Sequence, residues 1–284
     1  MGDFIGSGAS GSVHIATYKP NNIQIAVKSI NLYDKGTRKQ FKNDLRLLVD
    51  NECPNLIRFY GAFFYEGNVK ILLEYMNIGS LDRVIEMLKK KKKKAPCIPE
   101  SILSYITYQI LQGLLYLHKK KHFIHRDIKP ANILINSDGI IKLTDFGISR
   151  SLDNTADFSH TYIGSKNFMS PERISGKEYS YPSDIWSLGL VLYELATGIY
   201  PYGVGNDLFM QITKIVDGNE PTLPREFFSN EFCDFMDKTL KKDPNERGNV
   251  SELIEHPFIV QHLNDNTNFP DFLADLFDYM SVEQ

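Results

Sequence analysis

Two aspartates and an asparagine in the middle of the chain have the types and spacing of a metal-dependent reaction centre. Asp127 precedes Asn132 by five residues in HRDIKPAN, and Asp145 follows in DFG after a predicted hairpin with an Asp-Gly turn at 138–139. Because a hairpin returns the chain toward its start, we expect these three side chains to converge. Asn132 and Asp145 supply oxygen ligands suited to phosphate-bound Mg²⁺. Asp127 is the candidate acceptor of a proton from an incoming hydroxyl.

A glycine-rich segment near the start of the chain has the pattern of a phosphate-binding loop. Residues 6–13, GSGASGSV, fit G-x-G-x-x-G-x-V, and such glycines let backbone amides approach phosphates closely. A dinucleotide-binding turn shares the first six positions, but it requires a helix after the third glycine. Here Val13 to Ala16 continue as a strand-like run. The pattern therefore predicts a hairpin that covers phosphates, with a merely flexible hairpin as the alternative.

A lysine and an aspartate form a candidate ion pair in the same part of the chain. Lys28 ends the strand-like run IAVK, where it can neutralise the α- and β-phosphates opposite the glycine-rich hairpin. Asp44 lies on a predicted helix over 36–50, on the same face as Leu45 and Leu48. A charge beside apolar neighbours is costly unless it is paired. We therefore expect Asp44 to hold Lys28.

The elements that must position these side chains fall into two groups. Strand-like runs occupy 12–20, 22–30 and 55–76, with a turn at Glu66 to Asn68. Helical patterns dominate afterwards, beginning with the long amphipathic segment 101–120. The sequence predicts an α+β fold made of a small β-rich lobe with one helix (1–73), a hinge (74–76), a larger, mainly helical lobe (77–260) and a C-terminal helical tail (261–284).

Composition excludes several other classes of protein. The 284 residues are 42% hydrophobic and 24% charged, which argues against a disordered, collagen-like or coiled-coil architecture. A net charge of -3 gives no general affinity for nucleic acid. The three scattered cysteines form neither a disulfide framework nor a zinc motif, and no apolar run or signal peptide predicts membrane insertion. We expect a cytoplasmic protein that can also be nuclear.

The six lysines at 89–94 predict a solvated loop, with docking of acidic partners or nuclear import as alternatives.

The order of these motifs resembles that of eukaryotic protein kinases over nearly the whole chain. GSGASGSV, IAVK, HRDIKPAN, DFG and SPE occur in kinase order, followed by Asp184 and Trp186 in SDIWSLG and by Arg247. The resemblance implies a bilobal protein kinase fold, with ATP as phosphoryl donor and Mg²⁺ as metal ion. It also implies that Arg247 pairs with Glu172.

The same resemblance implies roles for further residues. Lys129 would stabilise charge on the transferred phosphoryl group, and a lysine there is typical of kinases that accept Ser and Thr. Leu73 would lie at the back of the adenine pocket, with hinge hydrogen bonds from the backbone of Glu74 to Met76. Asp127, Lys129, Lys28 and Asp44 are thus the predicted catalytic residues. The implied nucleotide contacts are Ile5, Gly6, Ser7, Gly8, Ala9, Ser10, Gly11, Ser12, Val13, Ala26, Lys28, Leu73, Glu74, Met76, Lys129, Asn132, Leu134 and Asp145.

Three short segments narrow the resemblance to the mitogen-activated protein kinase kinases. FYGAF (59–63), DFGIS (145–149) and FMSPERI (168–174) are similar to these dual-specificity enzymes, which phosphorylate a Thr-x-Tyr pair on a downstream kinase. Asp44 departs from the glutamate that most kinases carry. The alternatives are a Ser/Thr-only kinase of the sterile-twenty-like group and a nucleotide-binding scaffold without catalysis. A scaffold would be favoured by loss of Lys28, Asp127 or Asp145, and all three are present.

Two segments are candidates for regulation. Thr161 lies four residues before Ser165, where similar kinases carry their activating Ser or Thr, and Thr155 fits the wider spacing of some relatives. A phosphate on Thr161 would pair with Arg126 through charge-assisted hydrogen bonds. The C-terminal stretch 269–280 has apolar residues every three or four positions, which predicts a helix packed on the large lobe. A docking site at 265–280 for an upstream activating kinase is the alternative.

Overall fold

Five antiparallel strands form the sheet of the small lobe. The computed structural model describes residues 2–8, 11–31, 45, 49, 51–90, 98–145, 167–203, 208–265 and 268–282. The strands are β1 Phe4–Gly8, β2 Gly11–Tyr18, β3 Ile23–Asn31, β4 Phe59–Tyr65 and β5 Asn68–Glu74. They pair in the order β1-β2-β3-β5-β4. The predicted turn between β4 and β5 has left-handed Glu66 (φ 47°) and Gly67 (φ 76°), as a tight hairpin requires.

The register of this sheet places four of the predicted nucleotide contacts on one face. Val13 lies opposite Lys28 across β2 and β3, and Ala26 lies opposite Leu73 across β3 and β5. Since side chains alternate along a strand, Ala26 and Lys28 point to the same side. Ala26 and Leu73 are buried, so this face is apolar next to the lysine.

Helices build the large lobe. The described helices are α1 Leu81–Lys90, α2 Glu100–Leu115, α3 Pro171–Ile174, α4 Pro182–Thr197, α5 Leu208–Asp217, α6 Asn230–Thr239, α7 Val250–Ile254, α8 Pro257–Val260 and α9 Phe269–Val282. The predicted segment 101–120 is confirmed as α2 followed by a π-helical turn at Tyr116–Lys120. Helix α2 packs on α4, α7 and α8, and the single tryptophan, Trp186 of α4, is fully buried.

A small second sheet connects the reactive motifs. Strands β6 (Gly79–Ser80), β7 (Ile133–Ile135) and β8 (Ile141–Leu143) pair in that order, and a 3-10 turn at Pro130–Asn132 precedes β7. The backbone N–H of Thr144 donates to the carbonyl of Asn132 over 3.0 Å. The β7-β8 hairpin therefore returns the chain from Asn132 to the start of DFG, as the Asp-Gly turn predicts.

The α+β class, with a small β-rich lobe and a larger helical lobe, is confirmed. Of the helix predicted over 36–50 only Leu45 and Val49 are described, and both are helical. Asp44 lies outside the described residues. None of the described helices combines the length and the apolar character that crossing a membrane requires.

Candidate active site

Buried side chains of the large lobe hold the backbone of the HRDIKPAN loop. Asp184, in the first turn of α4, accepts hydrogen bonds from the N–H groups of His125 and Arg126, each at 2.8 Å. Nε2 of His118, in the π-helical turn that follows α2, lies 2.8 Å from the same carboxylate. Burial raises the pKa of Asp184, but these hydrogen bonds outweigh it and hold the pKa below its ordinary value. The carboxylate therefore stays ionised and fixes the loop to α4.

Asp127, Lys129 and Asn132 converge as the sequence predicts. Nδ2 of Asn132 donates to Oδ2 of Asp127 over 2.7 Å and to its backbone carbonyl over 2.8 Å. Nζ of Lys129 lies 2.8 Å from the same Oδ2. The side chain of Asp127 is 25% exposed, so a hydroxyl can reach a carboxylate whose direction is already set. Such a group can accept a proton in general-base catalysis.

Lys28 and Asp145 join the two lobes across the cleft. Nζ of Lys28 donates to both carboxylate oxygens of Asp145 at 2.6 Å, and the two side chains are 6% and 25% exposed. Burial raises the pKa of Asp145. The charge and hydrogen bonds of Lys28 lower this pKa by more, so the pKa of Asp145 lies below its ordinary value. Asp145 is thus ionised, as a metal ligand must be. The partner predicted for Lys28, Asp44, lies outside the described residues.

The backbone N–H of Met76 is a candidate hydrogen-bond donor in the hinge. Among the described residues the N–H of Met76 donates no hydrogen bond, while its carbonyl accepts from Gly79 over 3.1 Å. The N–H of Glu74 is already bound to the carbonyl of Arg58 over 2.9 Å. Of these two N–H groups, that of Met76 is available to donate a hydrogen bond to a ligand. Leu134, another predicted contact, is half-buried in β7.

The glycine-rich hairpin is described up to its tip. Ser7 pairs with Ser12 and Gly8 with Gly11, while Ala9 and Ser10 lie outside the described residues. Gly11 has φ 139°, and an added Cβ would lie 1.8 Å from the carbonyl oxygen of Ser29. No other residue type fits there without moving β3.

A buried ion pair holds the short helix α3 in the large lobe. Arg247 donates from both terminal nitrogens to the two carboxylate oxygens of Glu172, at 2.8 and 2.7 Å, as the family resemblance implied. Its guanidinium lies 5.2 Å from the Trp186 ring. Burial raises the pKa of Glu172, but Arg247 lowers it below its ordinary value. The two predicted phosphorylation sites, Thr161 and Thr155, lie outside the described residues.

Two residues that contact this site, Arg173 and Tyr179, could not be predicted from the sequence. Arg173 donates from Nη1 to the carbonyl of Arg126, and the ring of Tyr179 lies beside both guanidinium groups. Arg173 is part of FMSPERI, but no local spacing indicates that it reaches a loop 47 residues earlier.

Comparisons with known proteins agree with this geometry. A family model described as "Protein kinase domain" matches residues 1–259. The chain is 44% identical over 277 residues to Mitogen-activated protein kinase kinase 3 of Arabidopsis thaliana, covering 96% of this chain and 52% of that protein. It is 42% identical over 278 residues to Mitogen-activated protein kinase kinase 2 of the same plant (95% and 75%). It is 39% identical over 281 residues to Dual specificity mitogen-activated protein kinase kinase dSOR1 of Drosophila melanogaster (90% and 69%). The chain thus spans about half the length of the first relative and more of the other two.

Proposed function

Because the chain belongs to the protein kinase family and, within it, to the mitogen-activated protein kinase kinases, we propose that it phosphorylates a downstream mitogen-activated protein kinase. The γ-phosphoryl group of ATP would be transferred to Ser or Thr and to Tyr hydroxyls. The observation that carries the proposal is the convergence of Lys129 and Asn132 on Asp127, across the cleft from the Lys28-Asp145 pair. Kinases depend on positioning and electrostatics more than on covalent chemistry.

Each charged side chain has a role in this proposal. Asp127 orients the attacking hydroxyl and accepts its proton. Lys129, 2.8 Å from that carboxylate, stabilises charge on the transferred phosphoryl group. Lys28 binds the α- and β-phosphates under the glycine-rich hairpin.

The donor set fits Mg²⁺. Nδ2 of Asn132 is used by Asp127, which leaves Oδ1 as its metal-binding atom, and Asp145 supplies an ionised carboxylate. Two hard oxygen donors suit an ion that phosphates also hold. When bound, the ion would neutralise phosphate charge. Lys28 must release at least one oxygen of Asp145 to admit it.

Dual specificity is tested by site mapping. The purified chain, in its active form, is incubated with Mg²⁺-ATP and a panel of catalytically inactive kinases bearing Thr-x-Tyr loops, and the products are mapped by mass spectrometry. We expect phosphate on both the Thr and the Tyr of one panel member. An Asp145→Asn preparation controls for contaminating kinases. Phosphate on Thr alone would favour the sterile-twenty-like alternative, and none on any member would favour the scaffold.

We propose that phosphorylation of Thr161 activates the enzyme. Nε of Arg126 is buried and has no hydrogen-bond partner in the part of the chain that the structure describes, which supports Arg126 as the group that receives the phosphate. After treatment with an activating upstream kinase, Thr161→Ala should stay inactive while Thr155→Ala is activated. Full activation of Thr161→Ala would contradict this assignment.

The C-terminal helix is proposed as the docking site of that upstream kinase. Phe269, Leu273 and Leu276 of α9 are buried against the large lobe, and α9 packs on α1. Asp271, Asp275 and Asp278 are exposed on its other side, which supports recognition by a basic partner surface. Asn substitutions of these aspartates should slow activation by the upstream kinase without lowering the activity of already phosphorylated enzyme. Unchanged activation rates would contradict docking there.

A further inference from the structure

The residue before Asp127 has an unfavourable backbone conformation. Arg126 has φ 72°, in the left-handed region that a residue with a Cβ rarely adopts. Such a conformation persists only where the surroundings hold it. The N–H of Arg126 is held by Asp184 at 2.8 Å, and its carbonyl oxygen accepts the hydrogen bond from Nη1 of Arg173. The strained residue is therefore fixed from both sides.

The bond from Arg173 acts on the peptide group that leads into Asp127. The N–H of that same peptide group donates to Nδ1 of His125 over 3.3 Å. A peptide group is planar and stiff, so holding its oxygen and its N–H sets its orientation. That orientation limits where the α-carbon of Asp127, and hence its carboxylate, can lie.

Arg173 is itself held rigidly. Its neighbour in α3, Glu172, is tied to Arg247 by the buried ion pair. The centroid of the Tyr179 ring lies 5.1 Å from the guanidinium carbon of Arg173 and 5.7 Å from that of Arg126. One ring thus contacts both guanidinium groups, within the range of cation-π attraction. It orients the arginine that reaches the loop.

We infer that Arg173 is a positioning residue for Asp127, acting through the carbonyl group of Arg126, and that Tyr179 orients its guanidinium. The inference rests on the proposed role of Asp127 as proton acceptor. Loss of the bond lets the left-handed residue relax and displaces the carboxylate, and small displacements of a reacting group lower turnover strongly. Nucleotide binding, which uses other residues, is expected to stay intact.

The test compares Arg173→Met and Arg173→Lys with Lys177→Met. Lys177 is an exposed lysine on the same segment and serves as the control. Two rates are measured: phosphoryl transfer to an inactive kinase with a Thr-x-Tyr loop, and slow hydrolysis of ATP without protein substrate. The Kd for Mg²⁺-ATP and the melting temperature are measured in parallel. If the wild type hydrolyses ATP but phosphorylates no kinase with a Thr-x-Tyr loop, the proposed function is wrong. The effect of Arg173 substitutions on the hydrolysis rate would still test the positioning role of Arg173.

Arg173→Met should lower kcat by about 10- to 100-fold in both assays, with the Kd for ATP within about threefold of wild type. Arg173→Lys, which keeps a charged donor, should recover part of that loss, and Lys177→Met should match wild type. Tyr179→Phe should keep most of the activity because the ring remains, whereas Tyr179→Leu should lower kcat.

Two results would overturn the inference. One is a kcat for Arg173→Met within about threefold of wild type. The other is a loss of kcat that follows the loss of ATP affinity and melting temperature in every variant, without recovery by lysine. If Arg173→Met does not fold, Arg173→Lys and Tyr179→Leu decide by the same criteria.

Discussion

The HRDIKPAN loop of the large lobe and the small-lobe strands that we propose bind phosphate meet at one cleft, but their charged side chains are held by different kinds of partner. In the loop, Asp127 is bound by Asn132 and Lys129 of the same loop, and Asp184 of α4 holds the backbone before it. In the small lobe, Lys28 is bound to Asp145, which belongs to the other lobe. One half of the site depends on its own lobe, the other half on a contact across the cleft.

The two halves of the site therefore differ in how far they are organised before a nucleotide binds. The carboxylate of Asp127 already has its direction before any substrate binds. Lys28, by contrast, contacts both carboxylate oxygens of Asp145, the proposed metal ligand. In the proposed function, binding of Mg²⁺-ATP would replace part of the Lys28-Asp145 contact with contacts to phosphate. Changes to the large-lobe framework should mainly cost stability, and changes to the small-lobe half should mainly cost nucleotide use.

The largest expected effect is on the framework. Arg247→Met should lower the free energy of unfolding by about 3 to 5 kcal/mol, because it leaves the Glu172 carboxylate buried without a partner. The control, Arg225→Met, breaks the more exposed pair with Asp237 and should cost at most about 1 kcal/mol. Urea denaturation of both variants measures the difference. Equal costs would contradict a framework held by buried charge.

The loss of unfolding free energy caused by Arg247→Met should become smaller as the pH falls. Arg247 holds the pKa of Glu172 below its ordinary value of 4.5, so the stability that the pair contributes is present above pH 4.5. It is lost as the pH falls through the lowered pKa of the folded protein. The difference between wild type and Arg247→Met should therefore be largest near pH 7 and shrink under acid conditions. A difference that grew on acidification would contradict the ion-pair description.

A second substitution tests the small-lobe half. Lys28→Met should lower kcat/KM for ATP about 100-fold, equivalent to about 2.7 kcal/mol, because the phosphates lose their cation. Lys70→Met is the matched control, since Lys70 is a buried lysine of β5 whose Nζ donates to Ser29 over 2.8 Å on the other face of the sheet. Steady-state kinetics should place this control near wild type. Equal losses of kcat/KM in the two variants would contradict the assignment of Lys28 as the cation that binds the phosphates.

The smallest of these effects concerns the glycine-rich hairpin. Gly11→Ala should raise KM for ATP about five- to tenfold, because the new Cβ meets the Ser29 carbonyl and displaces β2. Gly67→Ala, in the turn between β4 and β5, also changes a glycine of positive φ but has open space around the added carbon, so its KM should stay within about twofold of wild type. The ratio of the two KM values is the measured quantity. A ratio near one would show that the shape of the hairpin at Gly11 does not matter for nucleotide binding.

Local patterns in the sequence predict most of what lies close along the chain. The Asp-Gly hairpin brings Asn132 next to Thr144, and the helix over 101–120 forms as its apolar spacing predicts. Asp127, Lys129 and Asn132 lie within six residues of each other, so one turn of chain is enough to gather them. Turns and helices depend on residues that are close along the chain, so they can be predicted from short stretches of sequence.

Contacts between distant segments are harder to predict. Lys28 and Asp145 are 117 residues apart, and their pairing depends on how the two lobes close. Arg173 reaches Arg126 across 47 residues, and no periodicity encodes which backbone carbonyl it meets. The pair of Glu172 and Arg247 was accessible only through the family resemblance, since two charges 75 residues apart carry no local signal.

Substitution of Asp127 is the most direct test of a catalytic loop built to accept a proton. Asp127→Asn retains the size of the side chain and its acceptor oxygen but removes the charge. The Kd for Mg²⁺-ATP should stay within about threefold of wild type, while phosphoryl transfer should fall about 10³-fold. Turnover of Asp127→Asn within about tenfold of the wild-type rate would contradict the assignment of Asp127 as proton acceptor.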